Sequence, residues 1–172
     1  NNSQREFKLE QAGSSIFFKN NKSSKYSKKA NALPLLKLGM DFLNEEDKKS
    51  YHRQLGISFN SNNSFDFDKG YDSEMFDKGT TDIYWDFPND NESYVIAGVQ
   101  GISENLEVPL SIVMAYDGSI LLEIDEIVNI NKSIFILDKL TNDYYELDKN
   151  KQVPIQLKKG NHNNRFYLGF KE

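Results

Sequence analysis

The stretch "AYDGSILLEI", residues 115–124, is the sharpest fold signal in this sequence. It places Asp117 and Gly118 between two apolar runs, and an Asp-Gly pair in that setting is the strongest short-range indication of a β-hairpin. The apolar run after the pair is continuous at first, as in a strand that is covered on both faces. We therefore predict a hairpin at Asp117-Gly118 and a fold built from strands.

Apolar runs of strand length lie on both sides of this stretch, each bounded by Asn, Asp, Gly, Ser or Pro. The best helical candidate, "NEEDKKSYHRQL" at residues 44–55, does not keep the 3.6-residue apolar period, so we predict a polar hairpin connection there. Turn composition also marks residues 139–143 and 158–164. The predicted strands are Glu6–Glu10, Ser15–Lys19, Leu35–Phe42, Tyr51–Phe59, Asp82–Phe87, Tyr94–Val99, Leu110–Ala115, Ser119–Ile124, Ser133–Asp138, Asp143–Leu147, Val153–Leu157 and Arg165–Phe170.

The length of 172 residues is that of one domain. The hydrophobic fraction is a modest 38%, but aromatic residues make up 13%, and large rings bury enough area to build a core. Short strands with regularly spaced turns predict an all-β fold, an antiparallel two-sheet β-sandwich that is jelly-roll-like, with little or no helix. We expect residues 1–172 to form a single domain, with residues 1–31 as a looser N-terminal extension or edge-strand region.

Charge and composition restrict the partners. The net charge of −5 argues against a nucleic-acid partner, because phosphate binding needs a clustered basic surface. Five Lys lie between Lys19 and Asn31 among Ser and Asn, and this segment is interpreted as a solvated loop. With no Cys and no run of about 18 apolar residues, we expect no disulfide and no membrane insertion. Because the chain starts with "NNSQREF" rather than Met, we expect it to be a piece of a longer protein.

The acidic stretch "FDFDKGYDSEMFDKG", residues 65–79, is the candidate cation site. In an extended chain Asp66 and Asp68 point to the same side, and Gly70 permits a turn that brings Asp72 towards them. Oxygen ligands of this kind suit calcium, although the spacing does not match an EF-hand loop. Alternatively, each Asp-Lys-Gly forms a turn in which the Asp oxygen accepts backbone N–H groups. The sequence leaves both interpretations open, and calcium is the cofactor that it suggests.

Catalytic residues are not recognisable in this sequence. The two histidines, His52 and His162, have no Glu or His neighbour at ligand spacing, and both are interpreted as solvated loop or edge-strand residues. No Cys and no G-x-S-x-G motif supplies a nucleophile, and the Gly spacing of "IAGVQGIS" does not fit a phosphate loop. We therefore predict that the chain is not an enzyme.

Three tyrosines are the candidate ligand-binding residues. In "TTDIYWDFPND", residues 80–90, one face of the strand must be core, and we assign the single Trp, Trp85, to that face. Tyr84 is then the exposed ring, and the consecutive Tyr144 and Tyr145 must lie on opposite faces of their strand. Because exposed rings on a sheet can stack on sugar rings, Tyr84, Tyr144 and Tyr145 are the candidate carbohydrate-binding residues.

Three segments in order resemble a bacterial module: "FDKGYDSEMFDKGTTDIYW" (67–85), "LEVPLSIVMAYDGSILLEI" (106–124), and the chain from "IFILDKLTND" to "NNRFYLGF" (134–170). They are similar to the β-sandwich module that precedes the C-terminal sorting domain in flavobacterial proteins exported by the type IX secretion system. Residues 34–59 are similar to earlier strands of that family, with Leu and Lys where Trp is usual. The resemblance covers about Leu33 to Phe170. The matching residues are Asp68, Gly70, Asp72, Val108, Pro109, Leu110, Leu137, Asp138, Thr141, Asn142, Gly160, Asn164, Arg165, Phe166 and Leu168.

Two of the matching residues also have a physical explanation. Arg165 opens the last predicted strand and can form a bidentate contact with a carboxylate such as Asp138, which would fix the register of that strand. Asn142 follows Thr141 in a turn, and Asn tolerates left-handed backbone. Both are structural roles.

The resemblance implies a secreted or cell-surface location and a module without catalytic residues. Its partners would be glycans or other surface proteins, and the secretion machinery through an adjoining sorting domain. The expected function is that of a spacer or interaction domain next to the sorting signal. The alternative is a carbohydrate-binding module with a structural calcium ion.

Overall fold

A computed structural model of the chain describes residues 32–88 and 90–172, and every regular element in these ranges is a β-strand. The all-β prediction is confirmed for this part of the chain, in which no helix is long and apolar enough to cross a membrane. The predicted strands Glu6–Glu10 and Ser15–Lys19 and the lysine-rich segment 19–31 lie outside the described residues. The strands are β1 (Leu35–Leu43), β2 (Ser50–Phe59), β3 (Ser73–Glu74), β4 (Asp82–Asp86), β5 (Ser93–Val99), β6 (Val108–Met114), β7 (Gly118–Val128), β8 (Ser133–Asp138), β9 (Asp143–Leu147), β10 (Val153–Leu157) and β11 (Gly160–Lys171).

The strands form one sheet in the order β10-β7-β1-β2-β5-β4-β6-β11-β8-β9, with the short β3 paired to β5. Neighbouring strands are antiparallel except β2 and β5, which are parallel from Gly56 beside Ile96 to Phe59 beside Val99. The two end strands, β9 and β10, follow each other in the chain and contact each other. The sheet is therefore nearly barrel-shaped.

The core fills the inside of this curled sheet. Burial alternates along residues 153–157 of β10, as expected for a strand with one face inside and one outside. Trp85 is fully buried, as predicted, and its indole N–H donates to the Gly56 carbonyl at 2.9 Å. Phe59 of β2 meets Phe170 of β11 edge to face, with ring centroids 5.2 Å apart. Strands that are far apart in the sheet order thus share one core.

The predicted hairpin at Asp117-Gly118 is wrong. The preceding strand β6 pairs with β4 and β11, whereas the following strand β7 pairs with β1 and β10. A two-residue hairpin of this composition needs positive φ at its turn residues, and neither Asp117 nor Gly118 has one. The Asp117 carboxylate instead accepts the Lys159 amide at 2.8 Å and pairs with Lys158 Nζ at 2.8 Å. Asp117 therefore anchors the β10–β11 connection while the chain crosses between two parts of the sheet.

The other turn predictions agree better with the structure. Residues 44–49 connect β1 and β2 as a hairpin in which Leu43 pairs with Ser50. β8 and β9 form a second hairpin, and Asn142 in its turn has the predicted left-handed backbone, with φ of 59°. The predicted turn at 158–164 is too long, because β11 already pairs with β6 from Gly160 onwards.

Arg165 and Asp138 form the bidentate ion pair that the sequence predicts. Arg165 Nε lies 2.9 Å from Asp138 Oδ1, and Nη2 lies 2.7 Å from Oδ2. The fully buried Asp138 also accepts the Leu140 amide at 3.0 Å. Since Asp138 pairs with Phe166 across β8 and β11, the contact holds these two strands in register.

Asp138 should make the stability of the chain depend on acidity. Burial acts to raise the pKa of Asp138, but hydrogen bonds from Arg165 and Leu140 and the charge of Arg165 outweigh it, so the pKa lies below its usual value. A carboxyl with a lowered folded-state pKa stabilises the fold above its unfolded-state pKa of about 4 and loses that contribution as the pH falls through the folded-state pKa. We expect the difference in free energy of unfolding between wild type and Asp138→Asn to shrink below about pH 4. Urea titrations at a series of pH values measure it, and a constant difference would contradict the assignment.

Candidate functional site

In the acidic stretch 65–79, the carboxylates of Asp68 and Asp72 accept hydrogen bonds from backbone amides. Asp72 Oδ2 accepts the Asp68 amide at 2.5 Å, and Asp72 Oδ1 accepts the Gly98 amide at 2.6 Å. Asp68 Oδ2 accepts the Ser64 amide at 2.8 Å. Gly70 turns the chain with a φ of 91°. Burial raises the pKa of Asp72 against these hydrogen bonds. The contacts are those of the turn interpretation, and Asp66, Asp68 and Asp72 do not bring their oxygens within 4.8 Å of one another. The turn interpretation is matched only at the first Asp-Lys-Gly, because among the described residues the Asp77 carboxylate of the second one contacts Arg53 and not a backbone amide.

Because Gly98 of β5 has no side chain, the loop that contains Asn63 and Tyr71 can pack closely against this strand. An added Cβ would lie 2.4 Å from Asn63 Nδ2 and 2.5 Å from Tyr71 Cβ, so Gly98→Ala must displace the loop. We expect the free energy of unfolding to fall by about 1–3 kcal/mol, measured by urea denaturation. Gly101→Ala is the control, because a Cβ there meets nothing within 4 Å. Equal losses in the two variants would contradict the packing argument.

The three predicted ligand-binding tyrosines do not form one surface. Tyr84 is only 5% exposed and lies under Lys78, whose Nζ is 3.6 Å from the ring centroid, so the prediction of an exposed ring is wrong. The consecutive Tyr144 and Tyr145 point to opposite faces, as predicted: Tyr144 is exposed and Tyr145 packs against the core. Lys171 Nζ lies 4.0 Å from the centroid of Tyr144. Because β6, β11 and β8 separate β4 from β9, Tyr84 and Tyr144 are not neighbours.

A group of four polar side chains lies on the outer face of β2, β1 and β7, and we call it the His52 cluster. Asp41 of β1 pairs with His52 of β2 across their hairpin, and Glu123 of β7 lies opposite Gly39 of β1. Asp125 is the unpaired residue at the β-bulge of β7. Three adjacent strands thus hold Asp41, His52, Glu123 and Asp125 together.

Both ring nitrogens of His52 contact carboxylates. Nδ1 lies 2.6 Å from Asp41 Oδ1 and 3.7 Å from Glu123 Oε1, and Nε2 lies 3.0 Å from Asp125 Oδ2. Burial acts to lower the pKa of His52, but the hydrogen bonds and charges of Asp41 and Asp125 outweigh it and raise the pKa. The cluster therefore combines an imidazole with three carboxylates at short range, a donor set that can hold a proton or a metal ion.

Two neutral side-chain amides and one glycine lie against the His52 cluster. Gln54 Nε2 donates to Asp125 Oδ2 at 2.5 Å, and Gln152 Nε2 lies 2.9 Å from Asp41 Oδ2 and 3.3 Å from Glu123 Oε2. Gly39 lies beneath the ring, since a Cβ there would be 2.6 Å from both His52 Cε1 and Asp125 Oδ1. The backbone of β1 thus leaves room for the imidazole between its carboxylates.

The sequence interpretation of His52 as a solvated loop or edge-strand residue agrees with its exposure but does not include its contacts with Asp41 and Asp125. The predicted hairpin at residues 44–55 is the signal that could have paired Asp41 with His52, because it brings β1 and β2 side by side. Glu123 and Asp125 lie some seventy positions further along, and no local pattern links them to His52. The other histidine, His162, contacts the Lys158 carbonyl and Arg165 and lies on β11.

A cleft of about 380 Å³ is the second feature that could bind a ligand. The rings of Phe42 and Tyr51 stack at its side, with centroids 5.9 Å apart and an angle of 20°. Tyr116 also lines it, and its hydroxyl is buried with no hydrogen-bond partner in the part of the chain that the structure describes. Burial raises the pKa of Tyr116, and the charge of Glu45 raises it further. The lining includes Phe42, Glu45, Tyr51, Arg53, Thr81, Asp82 and Tyr116.

Arg53 gives the cleft a fixed polar wall. Its Nε and Nη2 donate to the two oxygens of Asp82 at 2.7 and 2.8 Å, and Asp82 is 1% exposed. Nη1 lies 3.3 Å from Asp77. Stacked rings beside fixed polar groups are the usual composition of a small-molecule or sugar pocket.

Comparison with known proteins gives a family but no activity. A family model described as "Domain of unknown function (DUF8693)" matches residues 1–170. No curated protein and no solved structure matches the chain. The matched range contains both the His52 cluster and the cleft, so both lie within the domain that defines the family.

Proposed function

The chain belongs to the family described as "Domain of unknown function (DUF8693)", and from its own residues we propose that it is a non-catalytic module of a secreted or cell-surface protein. In this proposal the module is a spacer or interaction domain in a protein of the type IX secretion pathway, and it lies next to a sorting domain. Other surface proteins or glycans are its partners. The proposal assigns the chain no enzymatic activity.

The observation that best supports this proposal is that several residues that match the flavobacterial module make contacts that stabilise this fold. Arg165 and Asp138 hold two strands in register, and Asn142 has the left-handed backbone that its turn requires. Asp68 and Asp72 hold their loop through backbone amides. Residues with these roles hold strands and a loop in one arrangement, and a fixed arrangement suits a spacer or interaction domain.

We also propose that the curled sheet is best described as a sandwich of two packed layers. One layer would be β10-β7-β1-β2 and the other β5-β4-β6-β11-β8-β9, joined by the short parallel pairing of β2 and β5. The contact between Phe59 of the first layer and Phe170 of the second supports this description.

Two experiments test the proposed location and the lack of activity. On intact cells that make the parent protein, added protease should remove the epitope of an antibody raised against this chain. Protection of that epitope until the cells are lysed would refute the surface location. The purified chain, incubated with a panel of polysaccharides, should release no reducing sugar, and release by the wild-type chain would refute the non-catalytic assignment.

A carbohydrate ligand is the second candidate function, and the cleft favours it over the predicted tyrosines. The stacked Phe42 and Tyr51 offer an aromatic surface, and the Arg53 guanidinium offers a fixed polar group beside it. An oligosaccharide would satisfy both, because sugar rings have apolar C–H faces and hydroxyl edges. In this version of the proposal, Tyr51 and Arg53 replace Tyr84, Tyr144 and Tyr145 as the ligand-binding residues.

A glycan array with matched variants tests the carbohydrate proposal. Wild type and Tyr144→Ala should bind the same glycans, whereas Tyr51→Ala should lose them, because it removes one of the two rings on which the sugar would pack. The two variants remove rings of similar exposure, 42% for Tyr51 and 55% for Tyr144. Binding that depends on Tyr144 and not on Tyr51 would place the glycan outside the cleft and refute this assignment.

Calcium at Asp66, Asp68 and Asp72 belongs to the same alternative. If calcium binds the folded chain there, its removal lowers the melting temperature by mass action. We therefore expect a chelator to lower the melting temperature of wild type and to have no effect on Asp66→Asn. An unchanged wild-type melting temperature would refute the calcium proposal and leave Asp68 and Asp72 with only their hydrogen bonds from backbone amides.

A further inference from the structure

We propose that the His52 cluster is a binding site for a divalent transition metal ion of the zinc class, with His52 Nδ1, Asp41 and Glu123 as its protein ligands. The three ligand atoms lie within 4.8 Å of one another on β2, β1 and β7. They come from three hydrogen-bonded strands, so the sheet itself holds them in place. This site is independent of the spacer and carbohydrate proposals and of the acidic loop at residues 65–79.

The distances around His52 Nδ1 suit a small ion. A tetrahedral zinc ion with bonds of about 2.1 Å sets its ligand atoms about 3.4 Å apart. Nδ1 lies 2.6 Å from Asp41 Oδ1 and 3.7 Å from Glu123 Oε1, values on either side of that spacing. Small side-chain rotations of Asp41 and Glu123 are enough to reach it, because both carboxylates are partly exposed, at 25% and 28%.

The opposite side of the imidazole has the partner that a metal-binding histidine usually has. A metal-bound His donates its other N–H to a carboxylate or carbonyl, which fixes the ring and its tautomer. His52 Nε2 lies 3.0 Å from Asp125 Oδ2, and that oxygen also accepts the Gln54 amide at 2.5 Å. Nδ1, towards Asp41 and Glu123, is then free to bind the ion.

The charge balance of the cluster and a neighbouring side-chain amide also support a metal site. Within 4 Å of Asp41, Glu123 and Asp125, His52 is the only cationic side chain that the described part of the chain provides, so three carboxylates share at most one positive charge. A divalent ion would balance this excess. Gln152 lies against Asp41 and Glu123, and a half-turn of its amide would present Oε1 as a fourth ligand.

The imidazole nitrogen decides the class of metal. Calcium and magnesium take oxygen ligands, whereas imidazole together with carboxylate suits zinc, nickel, cobalt or iron. We therefore expect Zn²⁺ to bind and Ca²⁺ not to compete for this site.

Isothermal titration with ZnCl₂, supported by melting temperatures, tests the proposal on the whole chain. Wild type should bind one Zn²⁺, and Glu123→Gln and His52→Gln should each weaken binding at least about tenfold. Asp125→Asn, which acts through the ring, should weaken it by about 10–100-fold. His162→Gln is the matched control because the sequence has two histidines, and it should bind as wild type does.

Glu123→Gln keeps the test valid if another variant fails to fold. The contacts of Glu123 in the cluster are those with His52 and Gln152, and its removal leaves the core untouched. No heat of binding at about 1 mM Zn²⁺ would overturn the proposal. It would also be overturned if His162→Gln weakened binding as much as His52→Gln, or if an excess of Ca²⁺ displaced the zinc.

Discussion

Replacement of Arg165 by Met should lower the free energy of unfolding by about 3–5 kcal/mol, because it leaves a buried carboxylate without its cation. Asp138 has no exposed surface, and both of its oxygens bind the guanidinium. The Leu140 amide remains as a partner, but one neutral hydrogen bond does not balance a charge in the core. Urea denaturation followed by circular dichroism measures the loss.

A double variant separates the lost ion pair from lost packing. Asp138→Asn with Arg165→Met removes the buried charge as well, so it should be more stable than Arg165→Met alone. Lys158→Met is the surface control, because its pair with Asp117 is 85% and 55% exposed and should contribute little. If the double variant were less stable than Arg165→Met, the buried charge would not be the cause.

Trp85→Ala should be comparably damaging, with a loss of about 3–5 kcal/mol. Trp85 is fully buried in β4, so its removal leaves a cavity that the surrounding strands cannot fill completely. It also leaves the Gly56 carbonyl without the indole donor, next to the parallel pairing of β2 and β5. Equilibrium urea denaturation gives the value.

Two further substitutions make the Trp85 result specific. Trp85→Phe keeps most of the volume and loses the hydrogen bond, so its loss should be well below that of Trp85→Ala. Phe76→Ala removes a ring that is 89% exposed and should change stability little. Similar losses in Trp85→Phe and Trp85→Ala would show that the hydrogen bond, and not the volume, dominates.

The positions of the strands could be predicted from the sequence, but their order could not. Ser133–Asp138, Asp143–Leu147 and Val153–Leu157 have the predicted bounds, because apolar periodicity and turn residues are local signals. The pairing of β7 with β1 depends on contacts between residues that are far apart in the chain. At Asp117 the turn composition was misleading, since its carboxylate binds residues 158 and 159.

In the candidate sites, too, some contacts could be predicted from the sequence and others could not. Arg165 with Asp138 could be predicted, because Asp138 ends one predicted strand and Arg165 begins another, although the observed β11 already starts at Gly160. The His52 cluster could not, because the bulge that places Asp125 beside His52 changes the register of β7 without a signal in its own sequence. Tyr84 was assigned to the surface by alternation alone, which does not account for a loop that carries Lys78 across the ring.

The crossing between β6 and β7 also bears on how the chain reaches its native state. β1 is hydrogen-bonded to β7 and β7 to β10, so the part of the sheet that begins near Leu35 is completed only by residues up to Leu157. Contacts with such large sequence separation must pay the entropy of closing long loops before they stabilise anything, which makes folding slow. A nascent chain would hold the β1–β2 hairpin with one side unpaired until the last third of the domain is available. An open strand edge of this kind favours pairing with other chains, so the incomplete domain is the form most prone to aggregation.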